Sequence, residues 1–141
     1  MKDLSLAGVL SNKISNLVSA MEPITCAPDT SIREALSILK ENNIGSVIIE
    51  SGGFVKGVFT ERDFIQKVAG TTINMEVATV DKVMVHNVMT ATKESSLADV
   101  LQRMDMGGFR HMVVVNRKGS IEGILSIKDI VRHLVLLTKL S

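Results

Sequence analysis

The chain has 141 residues and a formal net charge of +1, from 16 Lys and Arg against 15 Asp and Glu. This balance excludes bulk electrostatic attraction to nucleic acids or anionic membranes, so any anion site must be local. Cys26 is the single cysteine, which excludes an intramolecular disulfide and fits a reducing compartment. The apolar stretch Leu4–Leu10 is too short to span a membrane. We therefore expect a cytoplasmic protein with no membrane partner.

The first half of the chain predicts a helix, two strands and a second helix. Apolar residues at i, i+3, i+4 and i+7 indicate a helix that starts after Ser31 and ends near Asn43. Ser31 and Glu34 form a capping-box sequence at its start. Two β-rich runs follow, joined by a Gly-Gly turn, and a further helix is expected after Thr60. The two predicted strands are Ser46–Glu50 and Phe54–Phe59.

The second half repeats this order of elements. Two glycines stop its first helix, and a polar turn joins its two strands. The predicted elements are a helix over Ser96–Asp105, a strand over His111–Val115, a turn at Asn116–Gly119, a strand over Ile121–Leu125 and a helix from Ile127 towards Lys139. Because helices alternate with strands, the fold class is mixed α/β, in the broad sense that includes α+β.

A short motif that occurs twice shows that the two halves are copies of one repeat. Gly57–Asp63 and Gly123–Asp129 share the pattern Gly-x-x-Thr/Ser-x-x-Asp at an offset of 66 residues (129 − 63 = 66). A repeat in so short a chain predicts two similar half-domains that pack against each other, because each alone would bury too small a core. The expected organisation is an N-terminal segment (1–11), a first repeat (12–70), a linker (71–76) and a second repeat (77–136).

The chemistry of the motif lies in its hydroxyl and its acid. Thr60 and Ser126 each stand where a strand ends and a helix starts, three residues before Asp63 and Asp129. Taken alone, this is a helix-capping pattern. The first N–H groups of a helix also attract anions, and the hydroxyl can donate a hydrogen bond to a phosphate oxygen there. The acid can accept hydrogen bonds from a ribose diol. Two copies in register favour ligand binding over capping alone.

The repeated helix–strand–strand–helix unit, closed by this motif, resembles the CBS domain, the cystathionine β-synthase-type regulatory module. Phe109–Asn116 also resembles a strand segment whose usual sequence in this family is Arg-His-Leu-Pro-Val-Val-Asp. Here Val113 replaces the proline and Asn116 replaces the acid. The resemblance implies two repeats related by a pseudo-twofold axis that form one CBS pair. It also implies two clefts between the repeats, which bind an adenosine nucleotide such as AMP, ADP or ATP. The departures bear on the identity of the ligand more than on the fold.

The resemblance implies a set of nucleotide-binding residues. They are Asp63 and Asp129 for the ribose, Thr60 and Ser126 for phosphate, Arg62, Lys128, Arg110 and His111 as basic groups, and Thr25 and Thr90 at the edge of the adenine slot. Some of these have structural alternatives: the first-turn cations can be solvated surface charges, Arg110 or His111 can pair with an internal acid, and the two threonines can merely favour an extended backbone.

The two copies are not chemically equal. The first repeat has Gly45 and Ser46 where the second has Arg110 and His111. A strand turns one of two adjacent residues inward, and a cleft-facing charge needs an anionic partner. We therefore expect only one cleft to bind the nucleotide tightly.

Other function classes fit the sequence less well. The three histidines show no metal-ligand spacing, and no nucleophile elbow or glycine-rich phosphate loop occurs, so no enzymatic activity is predicted. A nucleic-acid-binding protein is the first alternative, but with no Trp or Tyr and four Phe the chain lacks stacking platforms. Its candidate basic patch would consist of Arg103, Arg110, Arg117 and Lys118.

The last helix suggests a second alternative, an interaction module whose clefts are empty. It is more apolar than one buried face requires, at Ile127, Ile130, Val131, Leu134, Val135 and Leu137. Such a helix usually buries its extra face against a partner, so a homodimer is predicted. The preferred interpretation is a ligand sensor that signals to an unidentified regulated protein through a change of shape or of dimer geometry.

Overall fold

The computed structural model describes residues 5–18 and 23–139. Residues 1–4 of the predicted N-terminal segment, residues 19–22 of the predicted first repeat and residues 140–141 lie outside the described part. The described residues form five α-helices and two three-stranded sheets, which confirms the mixed α/β class. None of these helices is both long and apolar enough to cross a lipid bilayer.

The elements follow the predicted order, with additions at the start of each half. In chain order they are α1 (Leu6–Ser11), β1 (Thr25–Cys26), α2 (Ile32–Asn42), β2 (Ser46–Ser51), β3 (Phe54–Thr60), α3 (Glu61–Lys67), β4 (Thr90–Ala91), α4 (Leu97–Gly107), β5 (His111–Val115), β6 (Ile121–Ser126) and α5 (Ile127–Thr138). Short 3-10 turns occur at Ile14–Asn16 and Val80–Lys82. The sequence did not predict α1, β1, β4 or the 3-10 turns.

Each sheet has its most buried strand at the centre. The order is β1-β2-β3 in one sheet and β4-β5-β6 in the other, with the short outer strand parallel and the hairpin partner antiparallel to the middle strand. The middle strands bury consecutive residues, Val47–Ile49 and Met112–Val114, so both of their faces are covered. This double coverage explains why they are continuous apolar runs rather than alternating ones.

Capping side chains fix where the helices begin and end. Ser31 Oγ accepts the Glu34 N–H at 3.1 Å, and Ser96 Oγ accepts the Asp99 N–H at the same distance. These bonds satisfy backbone donors that a helix start leaves without partners. At the other end of α4, Gly108 has a φ of 68°, a left-handed conformation that terminates helices and suits glycine.

The described residues divide into two compact units. The central unit is Pro23–Val88, and the composite unit combines the described parts of Met1–Glu22 and Met89–Ser141. Each unit contains one sheet and its own apolar core. The central core includes Ile32, Ile49, Phe59 and Val80, and the composite core includes Ile14, Leu97, Met112, Leu125 and Ile130.

The segment that leads each repeat packs in the unit formed by the other repeat. In the composite unit the Ile14 N–H donates to the Ser95 carbonyl at 2.9 Å. In the central unit the Val80 N–H donates to the Thr30 carbonyl at 2.7 Å. Ile14 and Val80 are both fully buried. Each leading segment is therefore part of a core that its own repeat does not supply.

The motif glycine allows this close packing. Val85 pairs with Val58 through two backbone hydrogen bonds of 2.9 and 3.1 Å. A Cβ on the neighbouring Gly57 would lie 2.6 Å from the Val85 carbonyl oxygen, closer than real Cβ atoms approach. In the composite unit a Cβ on Gly123 would lie 2.7 Å from the Val18 Cγ1 atom. Glycine at the head of the motif is thus required by the crossing segment.

We expect Gly57→Ala to lower the free energy of unfolding by about 1–3 kcal/mol, the usual cost of overpacking. Gly123→Ala should cost less, because its Cβ meets a side-chain methyl group that can move. Urea unfolding followed by far-ultraviolet circular dichroism measures both. Gly45→Ala is the matched control, since a Cβ there meets no atom within 4 Å. Equal stability of Gly57→Ala and Gly45→Ala would contradict this account.

Cys26 is partly buried in β1. Burial raises the pKa of its thiol, a hydrogen bond with Thr30 opposes this change, and the Glu34 carboxylate adds to it. A raised pKa means less thiolate at a given pH, and the thiolate is the nucleophile.

Cys26 should therefore react slowly with iodoacetamide in the native protein. Its alkylation rate should rise with a midpoint above about pH 8.5, the usual value for a free cysteine. The same protein unfolded in urea provides the control and should titrate at the usual pH. A native midpoint at or below that of the unfolded chain would show that burial does not govern this thiol.

Candidate functional site

Both motifs form complete helix-capping boxes. Thr60 Oγ1 accepts the Asp63 N–H at 3.0 Å, and Asp63 Oδ2 accepts the Thr60 N–H at 2.9 Å. Ser126 Oγ and Asp129 Oδ2 make the equivalent bonds at 3.1 and 2.8 Å. The capping interpretation of the motif is confirmed. Capping engages only one carboxylate oxygen of each aspartate, so the other oxygen decides what else the motif can bind.

In the central unit this second oxygen is occupied. Lys67 Nζ lies 3.1 Å from Asp63 Oδ1 and also donates to the Val83 carbonyl at 2.9 Å. Thr60 Oγ1 additionally donates to Asp63 Oδ2 at 2.9 Å. Asp63 is only 5% exposed. A carboxylate this deeply buried requires such donors, and here the protein itself provides them.

In the composite unit the second oxygen is accessible. The Asp129 side chain is 40% exposed, and Arg132 Nη1 lies 3.9 Å from its Oδ1 atom, too far for a hydrogen bond. A depression of about 200 Å³ lies beside this acid. Its lining residues are Asn16, Leu17, Asp129, Arg132, His133 and Leu136. The two copies of the motif therefore differ in the availability of the acid.

The strand ladder brings the predicted basic residues to this motif. His111 is the register partner of Ser126, and the carbonyl of Arg110 accepts the Ile127 N–H at 2.9 Å. His111 is partly buried, whereas Arg110 precedes β5 and is exposed. In the central unit Ser46 takes the place of His111 beside Thr60. Of the two units, only the composite one therefore has a histidine and an arginine at these positions, where the central unit has Ser46 and Gly45.

The other predicted site residues lie near the motifs or on the adjacent strand. Arg62 and Lys128 are exposed in the first turns of α3 and α5. Thr25 and Thr90 are partly buried in β1 and β4, paired with the middle strands. Thr25 Oγ1 lies 3.5 Å from Glu50 Oε2, a long contact. Their extended conformation agrees with the structural alternative, and a role at an adenine slot stays a prediction.

Sequence reasoning missed the residues that lie beside the two acids. Lys67 follows Asp63 by four residues, a spacing that places both on one side of a helix, and this signal was available. The Val83 carbonyl and the depression beside His133 had no sequence signal, because they depend on the packing of the leading segments. Among the described residues, no group of three or more His, Cys, Asp or Glu could hold a metal ion.

Comparison with known proteins agrees with this architecture. The family model for the CBS domain matches residues 14–70 and 80–136. An uncharacterised 17.7 kDa protein of Acidianus ambivalens is 32% identical over 127 residues, covering 89% of this chain and 75% of that protein. The Arabidopsis thaliana protein CBSCBSPB3 is 28% identical over 104 residues, but the match spans only 19% of its length.

A solved structure also matches most of the chain. The CBS domain pair of protein MJ0100, in complex with 5′-methylthioadenosine and S-adenosyl-L-methionine, superimposes with a TM-score of 0.78 at 26% identity. The match covers 88% of this chain and 96% of that one. Since the CBS model accounts for both copies of the motif and nearly all of the sheets and helices around them, the chain belongs to the CBS domain family and carries two CBS repeats.

Proposed function

We propose that the protein is a ligand-sensing regulatory module that binds an adenosine nucleotide of the AMP, ADP or ATP type. The observation that carries the proposal is the motif of the composite unit, where Ser126, Asp129 and His111 come together and Asp129 retains an accessible carboxylate oxygen. The likeness to a CBS pair that holds two adenosyl compounds supports the adenosine part of the ligand.

Asp129 has the geometry for a ribose diol. Its Oδ2 atom is fixed by the Ser126 N–H at 2.8 Å, which orients the carboxylate before any ligand arrives. Its Oδ1 atom then accepts hydrogen bonds from a sugar. Bonds to a charged acceptor are roughly twice as strong as neutral ones, and a preoriented acceptor loses little entropy on binding.

The start of α5 has the polarity for a phosphate group. A helix N-terminus presents backbone N–H donors and the positive end of the helix dipole. Ser126 at this position carries a hydroxyl. His111 is its register partner, Arg110 precedes His111, and Lys128 follows Ser126 by two residues. Phosphate and ribose would thus bind to two positions three residues apart at the start of the same helix.

Binding would act through a conformational equilibrium. A module without catalytic groups changes its output only if the nucleotide has different affinities for two states of the protein. The response would pass to a regulated protein, as is expected of a CBS regulatory module.

The apolar surface of α5 supports a homodimer as the responding assembly. Ile130 and Leu134 face the core, whereas Val131, Val135 and Leu136 are 50–55% exposed. Ile65 of α3, which corresponds to Val131 in the repeat (131 − 65 = 66), is 67% exposed. A second copy of the chain is the partner that would cover these exposed apolar positions.

The nucleotide proposal predicts a retained ligand. The chain has no Trp or Tyr, so the purified protein absorbs little where adenine does. After addition of stoichiometric AMP and desalting, an adenine band should remain with the protein. A clear spectrum, with no binding heat in calorimetry at millimolar AMP, would reject the proposal and favour the alternative of an interaction module with empty clefts.

Asp129→Asn should weaken AMP about tenfold, because the ribose loses a charged acceptor while the amide oxygen still caps the helix. The same substitution should change the affinity for 2′-deoxy-AMP much less, since that ligand lacks one hydroxyl of the diol. Titration calorimetry measures both ligands. Asp99→Asn, an exposed acid in the first turn of α4, is the control. An equal loss for both ligands would remove Asp129 from ribose recognition.

The dimer proposal predicts a mass near twice that of the 15.3 kDa chain in light scattering at micromolar concentration. Val131→Asp with Val135→Asp should yield a folded monomer, because two charges would have to be buried in the interface. Met106→Asp, at an exposed position of α4, controls for loss of surface hydrophobicity. A monomeric wild-type protein would contradict the dimer proposal and would leave the nucleotide proposal unaffected.

A further inference from the structure

The two copies of the motif differ in the residue four positions after the acid. In the central unit this residue is Lys67, whose ammonium group bridges Asp63 Oδ1 at 3.1 Å and the Val83 carbonyl oxygen at 2.9 Å. The Lys67 side chain is 41% exposed, whereas that of Asp63 is 8% exposed. The lysine thus covers the acid from the solvent side and uses its only uncapped oxygen.

The composite unit has no lysine at the equivalent position. The repeat offset of 66 places His133 at the position of Lys67 (133 − 67 = 66) and Leu17 at that of Val83 (83 − 17 = 66). His133, Leu17 and Asp129 all line the depression of about 200 Å³. The residue that corresponds to Lys67 in sequence is therefore a histidine that lines an open depression beside Asp129.

We propose that Lys67 closes the first motif, so that Asp63 is a structural capping acid and nucleotide binding is confined to the Asp129 motif. This inference rests on the proposed nucleotide function and assigns Lys67 and His133 as the residues that determine which motif binds. A diol can reach Asp63 only by displacing Lys67, which would break an ion pair and leave the Val83 carbonyl without its donor.

The inference differs from the expectation based on Arg110 and His111. That expectation made the second copy the stronger site by adding cations for the phosphate. Here the first copy does not bind the nucleotide because its own acid is already paired, and the cations beside the motif do not change this. The two explanations predict different results when Lys67 alone is changed, because Gly45 and Ser46 remain in place.

A reciprocal exchange tests the assignment. Lys67→Met removes the ammonium group while keeping an unbranched side chain of similar length, and His133→Lys introduces one at the equivalent position. Titration calorimetry with AMP should give one site per chain for the wild type and two for Lys67→Met. His133→Lys should weaken the wild-type site at least tenfold. Lys40→Met and His86→Lys, at exposed positions of the central unit, are the matched controls and should bind as the wild type does.

Two further variants keep the result interpretable if Lys67→Met fails to fold. In the otherwise wild-type chain, Asp63→Asn should leave AMP affinity unchanged, and Asp129→Asn should lower it. Two sites in the wild type, a site abolished by Asp63→Asn, or one site in a folded Lys67→Met variant would each overturn the inference while the nucleotide function stands. No binding by any variant would remove the nucleotide function and this inference with it.

Discussion

The structure depends on backbone hydrogen bonds between the leading segment of one repeat and the first helix of the other. Helix starts carry N–H groups without internal partners, and here the Ala78 carbonyl accepts the Ile32 N–H at 3.0 Å while the Asn12 carbonyl accepts the Leu97 N–H at 2.9 Å. The same segments insert a fully buried apolar side chain into each core. Neither repeat is therefore a self-sufficient folding unit, and the motif glycines follow from the same packing, because the crossing chain passes directly over them.

The capping box has a double role that explains how one motif can give two outcomes. Capping orients the aspartate and engages one of its oxygens in both copies. The fate of the other oxygen depends on neighbours outside the motif, an internal ammonium group in one unit and an open depression in the other. Under the proposed function, helix capping and ligand binding would thus use different atoms of the same side chain. A motif match alone identifies the cap and leaves the availability of the acid undetermined.

The sequence predicted the elements that have a local signal. Helix α2 came from periodicity, the hairpin of β2 and β3 came from two β-rich runs joined by a Gly-Gly turn, and both motif turns came from their duplication. Strands β1 and β4 were missed because two residues carry no period and their pairing partners are more than 20 residues away. The exchange of leading segments was missed for the same reason, since Ile14 and Ser95 are hydrogen-bonded although the whole central unit separates them in sequence. Within the site, the sequence placed both motifs at helix starts, but the accessibility of Asp63 and Asp129 depends on this long-range packing.

The division into a contiguous and a discontinuous unit has a consequence for synthesis on the ribosome. All residues of the central unit are present once Val88 has been made, so this unit can fold while the remainder is still being translated. The segment that includes Ile14 must wait until Ser95 and Leu97 have been made before its backbone hydrogen bonds can form. Closing the composite unit joins segments that flank 66 residues (88 − 22 = 66). A central unit that is already folded shortens this loop to a compact spacer, so the direction of translation also lowers the entropic cost of closure.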